Sequence, residues 1–417
     1  MIFRLIEYLK ENSIDFCIIN GYKDIVNKVD KESDNDLLFK EKDFNNIDDI
    51  VDDFSTKNGF YIVQNMHHEL LAKNIFLFNP ENGEFLNLDL YGELSRKGIA
   101  YFEEDEIFST LCLYQQLPIL SPEKEFINYL IKKLDKNALT GDSFSYLREL
   151  YIANEQLCDA QIERFFLDNS KEIKEVFKEE KFRFFEKKQT DILKSFYTLK
   201  KFDIKKEILN FIRICKRIIK PTGFSIGFLG PDGSGKSTVI DGILEKRLPF
   251  RRKDYFHLKP IPTDKSKSTT VEEPHLMPLY SKNKSYIKLF YFIYQYNFGW
   301  IKNIAKLKIK SSLVIFDRYF DDMLVDNKRY RYGGSLNFAK FMRNFIPRPD
   351  VYFILTADAE VIYKRKQEVE FEELQRQIKK YRELADNKKY FSIDVNKEPD
   401  KIVQEIVNIM MKKKGKK

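Results

Sequence analysis

Phe224-Ser-Ile-Gly-Phe-Leu229 runs straight into Gly230-Pro-Asp-Gly-Ser-Gly-Lys236-Ser237, and Thr238 to Leu248 then continues as a helical pattern. An apolar run, a glycine-rich turn and a helix form the setting in which the pattern GxxxxGK[ST] cradles phosphate. Gly233 and Gly235 lack Cβ atoms, so successive N–H groups can curl around an anion while the helix aims its positive end at the same point. In this reading Gly230, Gly233, Ser234, Gly235 and Thr238 shape the cradle. Lys236 reaches the β- and γ-phosphates of ATP, and the Ser237 hydroxyl is a ligand for Mg²⁺.

Working outward, Pro221 and Gly223 punctuate the chain just before this run, and further strand candidates lie at Leu313 to Phe316 and Val351 to Leu355. Long helical patterns separate them, the last ending in Ile402 to Met411. Strands alternating with helices predict an α/β fold with a parallel sheet covered on both faces. Asp317-Arg318-Tyr319 follows the second strand. Asp317 is thereby placed at a carboxyl end of the sheet, where such folds keep their ligands. There it can hold Mg²⁺ or orient an acceptor, while Arg318 can grip an anionic group bidentately. Lys259, Arg329 and Arg331, next to a strand end and a glycine turn, are further candidates for an acceptor anion, with solvated surface charge as the alternative.

The loop GPDGSGKST, the strand followed by DRY, and RPDVYFIL followed by the basic VIYKRKQE together resemble the thymidylate kinase group of nucleoside-monophosphate kinases, over roughly Phe224 to Met411. The resemblance implies that Asp232 faces the acceptor sugar, that Lys236 and Ser237 face the ATP phosphates and Mg²⁺, and that Arg318 faces the acceptor phosphate. It also implies basic groups near the adenine side and lid at Lys364, Arg365 and Lys366. The departures are informative. DRYFDDMLVDN puts Asp322 where the family has serine and Asn327 where it has glutamine, and Gln367 to Gln375 lacks the lid's arginine, with Arg376 the nearest replacement. The expected acceptor is a small molecule, either a nucleoside monophosphate or a sugar or sugar phosphate. The sugar reading follows from the resemblance to divergent kinase-like proteins of this kind, which are often associated with bacterial surface-polysaccharide genes.

The N-terminal stretch carries a second pattern. Ile18-Ile-Asn-Gly21 supplies a glycine turn, Ser33-Asp-Asn-Asp-Leu-Leu-Phe39 places Asp34 and Asp36 two residues apart, and Asn87-Leu-Asp89-Leu-Tyr91 supplies a third acid. Alternate strand residues face one side, so Asp34 and Asp36 can point together at a metal pair, with Asp89 joining from a neighbouring strand. With 64 acidic residues in the chain, about ten acid-x-acid pairs arise by chance, so only the full order of turn, pair and third acid counts. That order resembles the polymerase-beta type of nucleotidyltransferase, departing from it at Tyr22 and Asn35. His67-His68-Glu69 is not HExxH, because Ala72 stands four residues after His68, so no zinc site is expected.

The 417 residues suggest more than one domain. Pattern divides them into a mixed α/β domain over 1–110, a helical connector over 111–220 and the phosphate-loop domain over 221–417. Hydrophobic content of 43% and charged content of 33% exclude collagen and wholesale disorder. The net charge of +8 suits anionic ligands without naming one. Four separated cysteines, no CxxC and a charged start at Arg4 and Glu7 predict a reducing cytoplasm. No apolar stretch is long enough to span a bilayer. Leu289 to Ile301, with apolar positions on every face, is expected to be a buried core helix rather than a peripheral membrane helix. No nucleic-acid-binding signature is present, and the pattern leaves room for a homodimer. The rival to phosphotransfer is a nucleotide-gated regulatory module without an acceptor.

Overall fold

The computed structural model describes residues 1–27, 35–200, 203–261, 275 and 277–415. The chain forms two compact units, Met1–Leu77 with Phe85–Arg213, and Phe78–Glu84 with Ile214–Lys417.

The first unit is built on a mixed seven-stranded sheet of β1 (Phe16–Ile18), β2 (Asn35–Phe39), β3 (Tyr61–Glu69), β4 (Ala72–Phe78), β5 (Phe85–Tyr91), β6 (Cys112–Tyr114) and β7 (Leu117–Ile119), in the order β3-β4-β5-β2-β1-β7-β6. Period-two alternation gives the sheet two apolar faces. Phe16, Ile18, Leu37 and Phe39 pack with the helices Ile2–Glu11 and Ile47–Lys57. Cys17, Ile19 and Leu38 share a core with Phe126, Leu130 and Leu134, and with aromatic residues as far along as Phe196. The helical stretch over 122–197 therefore shares a core with the sheet. β2 and β5 run parallel in a register that sets Asp36 directly beside Asp89.

The second unit is an α/β sheet of five strands, β8 (Phe224–Leu229), β9 (Arg252–His257), β10 (Ser312–Asp317), β11 (Val351–Thr356) and β12 (Tyr390–Asp394), ordered β9-β10-β8-β11-β12 and parallel throughout. β8 and β11 are buried along their whole length. That double coverage is why they read as unbroken apolar runs. Register pairs Phe228 and His257 with Asp317 from either side, so the ends of three neighbouring strands meet at this carboxylate.

One expectation is corrected. The aromatic segment lies in the helix Lys282–Gly299, but only one face is buried, through Leu289, Phe292 and Tyr296. Phe290, Tyr291, Tyr294 and Phe298 are exposed, and Ile301 is 73% exposed. Apolar residues on all sides of a helix do not ensure that every side has a neighbour, because burial depends on which elements pack against it. Among the described residues no helix is long and apolar enough to cross a membrane.

Candidate active site

The turn after β8 is dictated by glycine. Gly230 has φ +143°, and a Cβ there would lie 2.4 Å from the Leu355 carbonyl oxygen. Gly235 has φ +81°, and no atom lies within 4 Å of where its Cβ would be. At this position a side chain would meet no neighbour, so it is the left-handed backbone that calls for glycine. The helix Lys236–Glu245 starts immediately after it. Ser237 and Thr238 are exposed on its first turn, while Ser234 is fully buried.

Lys236 is buried and folds back over the loop. Its Nζ donates to the carbonyls of Gly230 at 2.9 Å and Pro231 at 2.8 Å, and lies 3.9 Å from Asp232 Oδ1. Burial, with the Arg318 guanidinium close by, pushes its pKa down to about 8.

Arg318 adopts φ +67°, a left-handed conformation unusual for a side-chain-bearing residue. Its N–H donates to the Phe228 carbonyl at 2.9 Å, tying the turn after β10 to the strand that feeds the phosphate loop. The guanidinium is 4% exposed and divided between two carboxylates. Nη1 donates to Asp322 Oδ2 at 2.7 Å, and Nη2 donates to Asp232. Asp322 is wholly buried and also accepts from the hydroxyls of Tyr330, at 2.8 Å, and Tyr381. Asp322 is thus the anchor that aims Arg318.

Asp232 is clamped from the other side by Arg329 Nη1. Burial opposes its ionisation, but its bond with Glu368 and the charges of Arg318, Lys236 and Arg329 outweigh burial and hold it far below the usual carboxylate range. Glu368 is pushed up in turn by its bond to Asp232 and by burial. A cleft borders this cluster, with His275, Asp326, Glu368 and Tyr381 in its wall, and His275 Nε2 lies 2.8 Å from Asp326 Oδ2.

Asp317 Oδ2 accepts from Tyr255 at 3.2 Å and lies 3.4 Å from His257 Nδ1. Its Oδ1 is buried without a hydrogen-bond partner. Burial works against ionisation, yet His257, Lys236 and Arg318 keep the carboxyl below its ordinary range. A buried, ionised, unpartnered oxygen beside a phosphate loop fits a Mg²⁺ ion, which needs only one or two protein ligands when phosphates complete its shell. Ser237 is the second ligand that the loop offers. Among the described residues no group of three or more His, Cys, Asp or Glu could hold a metal by itself.

The structure brings together Asp232, Lys236, Asp317 and Arg318, with the Gly230, Gly233 and Gly235 cradle. The helix Ala359–Arg365 ends at the loop, since a Cβ on Gly233 would sit 3.0 Å from Lys366 Cβ. Arg365 is exposed there, with Nη2 donating to the Val395 carbonyl at 3.4 Å. Arg376 is directed elsewhere: it bonds Glu373 of its own helix and the Val325 carbonyl. Sequence reading missed His275, Tyr330, Glu368 and Tyr381, none of which stands in a recognisable motif. The one available signal was the unexplained aspartate at 322, a buried acid that had to find donors.

In the N-terminal unit Gly21 has φ +76° and caps the short helix Tyr22–Val26. Tyr22, in place of a small residue, is buried with its hydroxyl donating to Glu125 at 3.3 Å. Asp36 accepts from Asn20 at 2.9 Å, Tyr91 at 3.2 Å and the Lys132 ammonium at 3.0 Å. Asp89 accepts from Asn74 at 2.8 Å, with His68 at 3.7 Å. Asp34 lies outside the described residues.

The thymidylate kinase family model matches residues 228–406. Among solved structures, the thymidylate kinase of Candida albicans is 21% identical over 47% of this chain and 94% of its own, at a TM-score of 0.35. The Ehrlichia chaffeensis thymidylate kinase is 18% identical over 44% of this chain and 97% of its own, at 0.31. A deoxyadenosine kinase from M. mycoides, solved with bound dATP, has the same identity and coverages at 0.32. No curated protein sequence matches the chain.

Proposed function

We propose that the C-terminal unit is an ATP- and Mg²⁺-dependent phosphotransferase that moves the γ-phosphoryl group to a small acceptor, a nucleoside monophosphate or a sugar or sugar phosphate. The observation that carries this reading is Asp232, a residue of the phosphate loop, held between Arg318 and Arg329 and next to Lys236. A nucleotide switch needs the cradle alone. A second arginine cluster reaching the loop from β10 and the segment beyond it serves a second substrate.

The chemistry asks for positioning and charge neutralisation rather than a strong base. Loop N–H groups and Lys236 hold the triphosphate tail. Arg318, aimed by Asp322, and Arg329 bind the acceptor's anionic group and neutralise charge as the new P–O bond forms and the bond to ADP breaks. A carboxylate held as low as Asp232 is a poor proton acceptor at neutral pH, so its part is to orient an acceptor hydroxyl by accepting its hydrogen bond, the hydroxyl proton passing late in the transfer to an oxygen of the transferred phosphoryl group and from there to solvent. Mg²⁺, held through Ser237 and Asp317, supplies further neutralisation on the phosphate oxygens. Arg365 is assigned to the adenine side.

Acceptor-dependent ADP release across a panel of nucleoside monophosphates, sugars and sugar phosphates tests the reading. Release stimulated by at least one acceptor, and lost in Lys236→Ala, is the expected result. Release indifferent to every acceptor favours the nucleotide-gated module.

For residues 1–110 we infer a nucleotidyltransferase-like layout, with Gly21, Asp34, Asp36 and Asp89 at the positions of its site, in which the Lys132 ammonium takes the charge-balancing place of a metal at Asp36. This reading is supported by the 3.0 Å contact to Oδ2. Mn²⁺-dependent nucleotidyl transfer by Lys236→Ala protein, abolished by Asp36→Asn, would overturn it.

A further inference from the structure

Beside the acceptor cleft, four cations gather around two aromatic rings. The Arg331 guanidinium lies 4.3 Å from the centre of the Tyr280 ring, and the Lys284 and Lys288 ammoniums lie 4.5 and 4.8 Å from it. Lys259 lies 4.5 Å from the centre of Phe292, to which Lys288 is also close at 5.5 Å. Among the described residues no carboxylate pairs with any of the four, and the sequence from Pro274 to Phe316 contains no Asp or Glu. Among the described residues their side-chain hydrogen bonds go to backbone carbonyls: Lys288 donates to Tyr330 at 3.0 Å and Arg331 to Pro278 at 2.9 Å.

One ring has two faces, so three cations around Tyr280 exceed what its π-cloud can hold, and the rings do not cancel the repulsion. Burial, followed by the charges of Arg331 and Lys284, pushes Lys288 down; burial and Lys288 do the same to Lys259. Such an arrangement is balanced by an anion.

Its place in the fold connects it to the phosphotransfer site. The carbonyl of Tyr330 accepts from Lys288, and the hydroxyl of the same residue donates to Asp322, the anchor of Arg318. Leu258, next to Lys259, donates its N–H to the Asp317 carbonyl at 2.9 Å and accepts from the Tyr296 hydroxyl at 2.7 Å. The cluster therefore flanks the end of the sheet that carries Asp317 and Arg318.

We propose that Lys259, Lys284, Lys288 and Arg331 form a second anion subsite that takes a phosphate group at the far end of the acceptor. The acceptor then carries two separated anionic groups, one at Arg318 and Arg329 and one here. This rests on the phosphotransferase reading. A cluster of four cations beside the cleft selects such a molecule over a nucleoside monophosphate, whose base would bring no charge to balance them.

The test is calorimetry on the full chain, with the phosphate loop saturated by a non-hydrolysable ATP analogue and Mg²⁺. Inorganic phosphate should bind wild type, and Lys259→Gln/Lys288→Gln should weaken that uptake at least about tenfold while its affinity for the ATP analogue stays within about twofold of wild type. Glucose 1,6-bisphosphate should bind wild type at least about tenfold more tightly than glucose 1-phosphate, a comparison that needs no variant. Phosphate uptake unchanged in the double variant overturns the subsite. Phosphate uptake with equal affinity for the two sugars identifies a free-phosphate site and overturns the assignment to the acceptor. Absence of ATP-analogue uptake by wild type overturns the phosphotransferase reading itself, so the failures are told apart.

Discussion

Asp232, in the loop after a central strand of the C-terminal unit, and Asp36, on a central strand of the N-terminal unit, each have cationic partners, and the two surroundings differ in what is left over. Around Asp36 the donors are matched to the acceptor: Asn20, Tyr91 and one ammonium meet its two oxygens. Around Asp232 three cations converge on one carboxylate and are shared with its neighbours Asp322 and Glu368. Arg318, Arg329 and Lys236 face it, and Asp317 nearby keeps a buried oxygen without a partner. Charge that is balanced internally contributes to folding. A buried carboxylate oxygen left without a partner, beside arginines that are shared between carboxylates, is suited to a metal and a charged substrate.

The largest effect should come from breaking the anchor. Asp322→Ala removes the acceptor of bonds from Arg318, Tyr330 and Tyr381 and leaves a buried guanidinium with Asp232 alone, costing about 3–5 kcal/mol. The urea midpoint of the C-terminal unit should fall accordingly. A midpoint shift near zero would show that Arg318 does not depend on that partner.

Next is Lys236→Ala, which should lower phosphoryl transfer by at least about a hundredfold, of the order seen when one preorganised electrostatic donor is lost. Asp36→Asn measured in the same assay should leave turnover within about twofold. Equal losses in the two variants would erase the contrast between the sites.

Lys132→Met probes the balanced site. The lysine side chain is 28% exposed while that of Asp36 is 7% exposed. Solvent screening should therefore reduce the cost of stranding the carboxylate to about 1–2 kcal/mol, below that of a fully buried pair. If the ammonium stands in for a metal, the variant should also gain calorimetrically detectable Mn²⁺ uptake that wild type lacks.

The smallest effect is a pH dependence. The Lys236 pKa is about 8 before ATP binds, and phosphate contact raises it, so binding takes up a proton at and above pH 8. Affinity should then fall about tenfold between pH 7 and pH 9 as the ammonium is lost from the free protein. Titrations in buffers of different ionisation enthalpy should reveal the proton uptake. A flat profile would mean that Lys236 is already an ordinary lysine in the free protein.

Legibility followed sequence distance. β8, the loop and its helix form one contiguous stretch, and β10 with Asp317 and Arg318 was readable because strand and turn chemistry are local. β12, Tyr390–Asp394, was missed because only Tyr390 and Ile393 of this edge strand are buried and its five residues carry little apolar signal. The exposed face of the helix Lys282–Gly299 was misread because its composition is apolar throughout while its packing is one-sided. Lys259 and Arg331 were grouped with Arg329 as anion candidates, but Arg329 turns to Asp232 while the other two join Lys284 and Lys288 around Tyr280 and Phe292.

The amino-acid sequence by itself determined the phosphate cradle, because a glycine turn with left-handed backbone followed by a helix N-terminus is specified by residues a few positions apart. Only the tertiary structure decided which charges meet. Arg318 and Asp232 are 86 residues apart, Tyr381 and Asp322 are 59 apart, and Lys132 and Asp36 are 96 apart. Coulomb and hydrogen-bond energies depend on distances of a few ångströms, and at such separations along the chain only the packed sheets and helices set those distances.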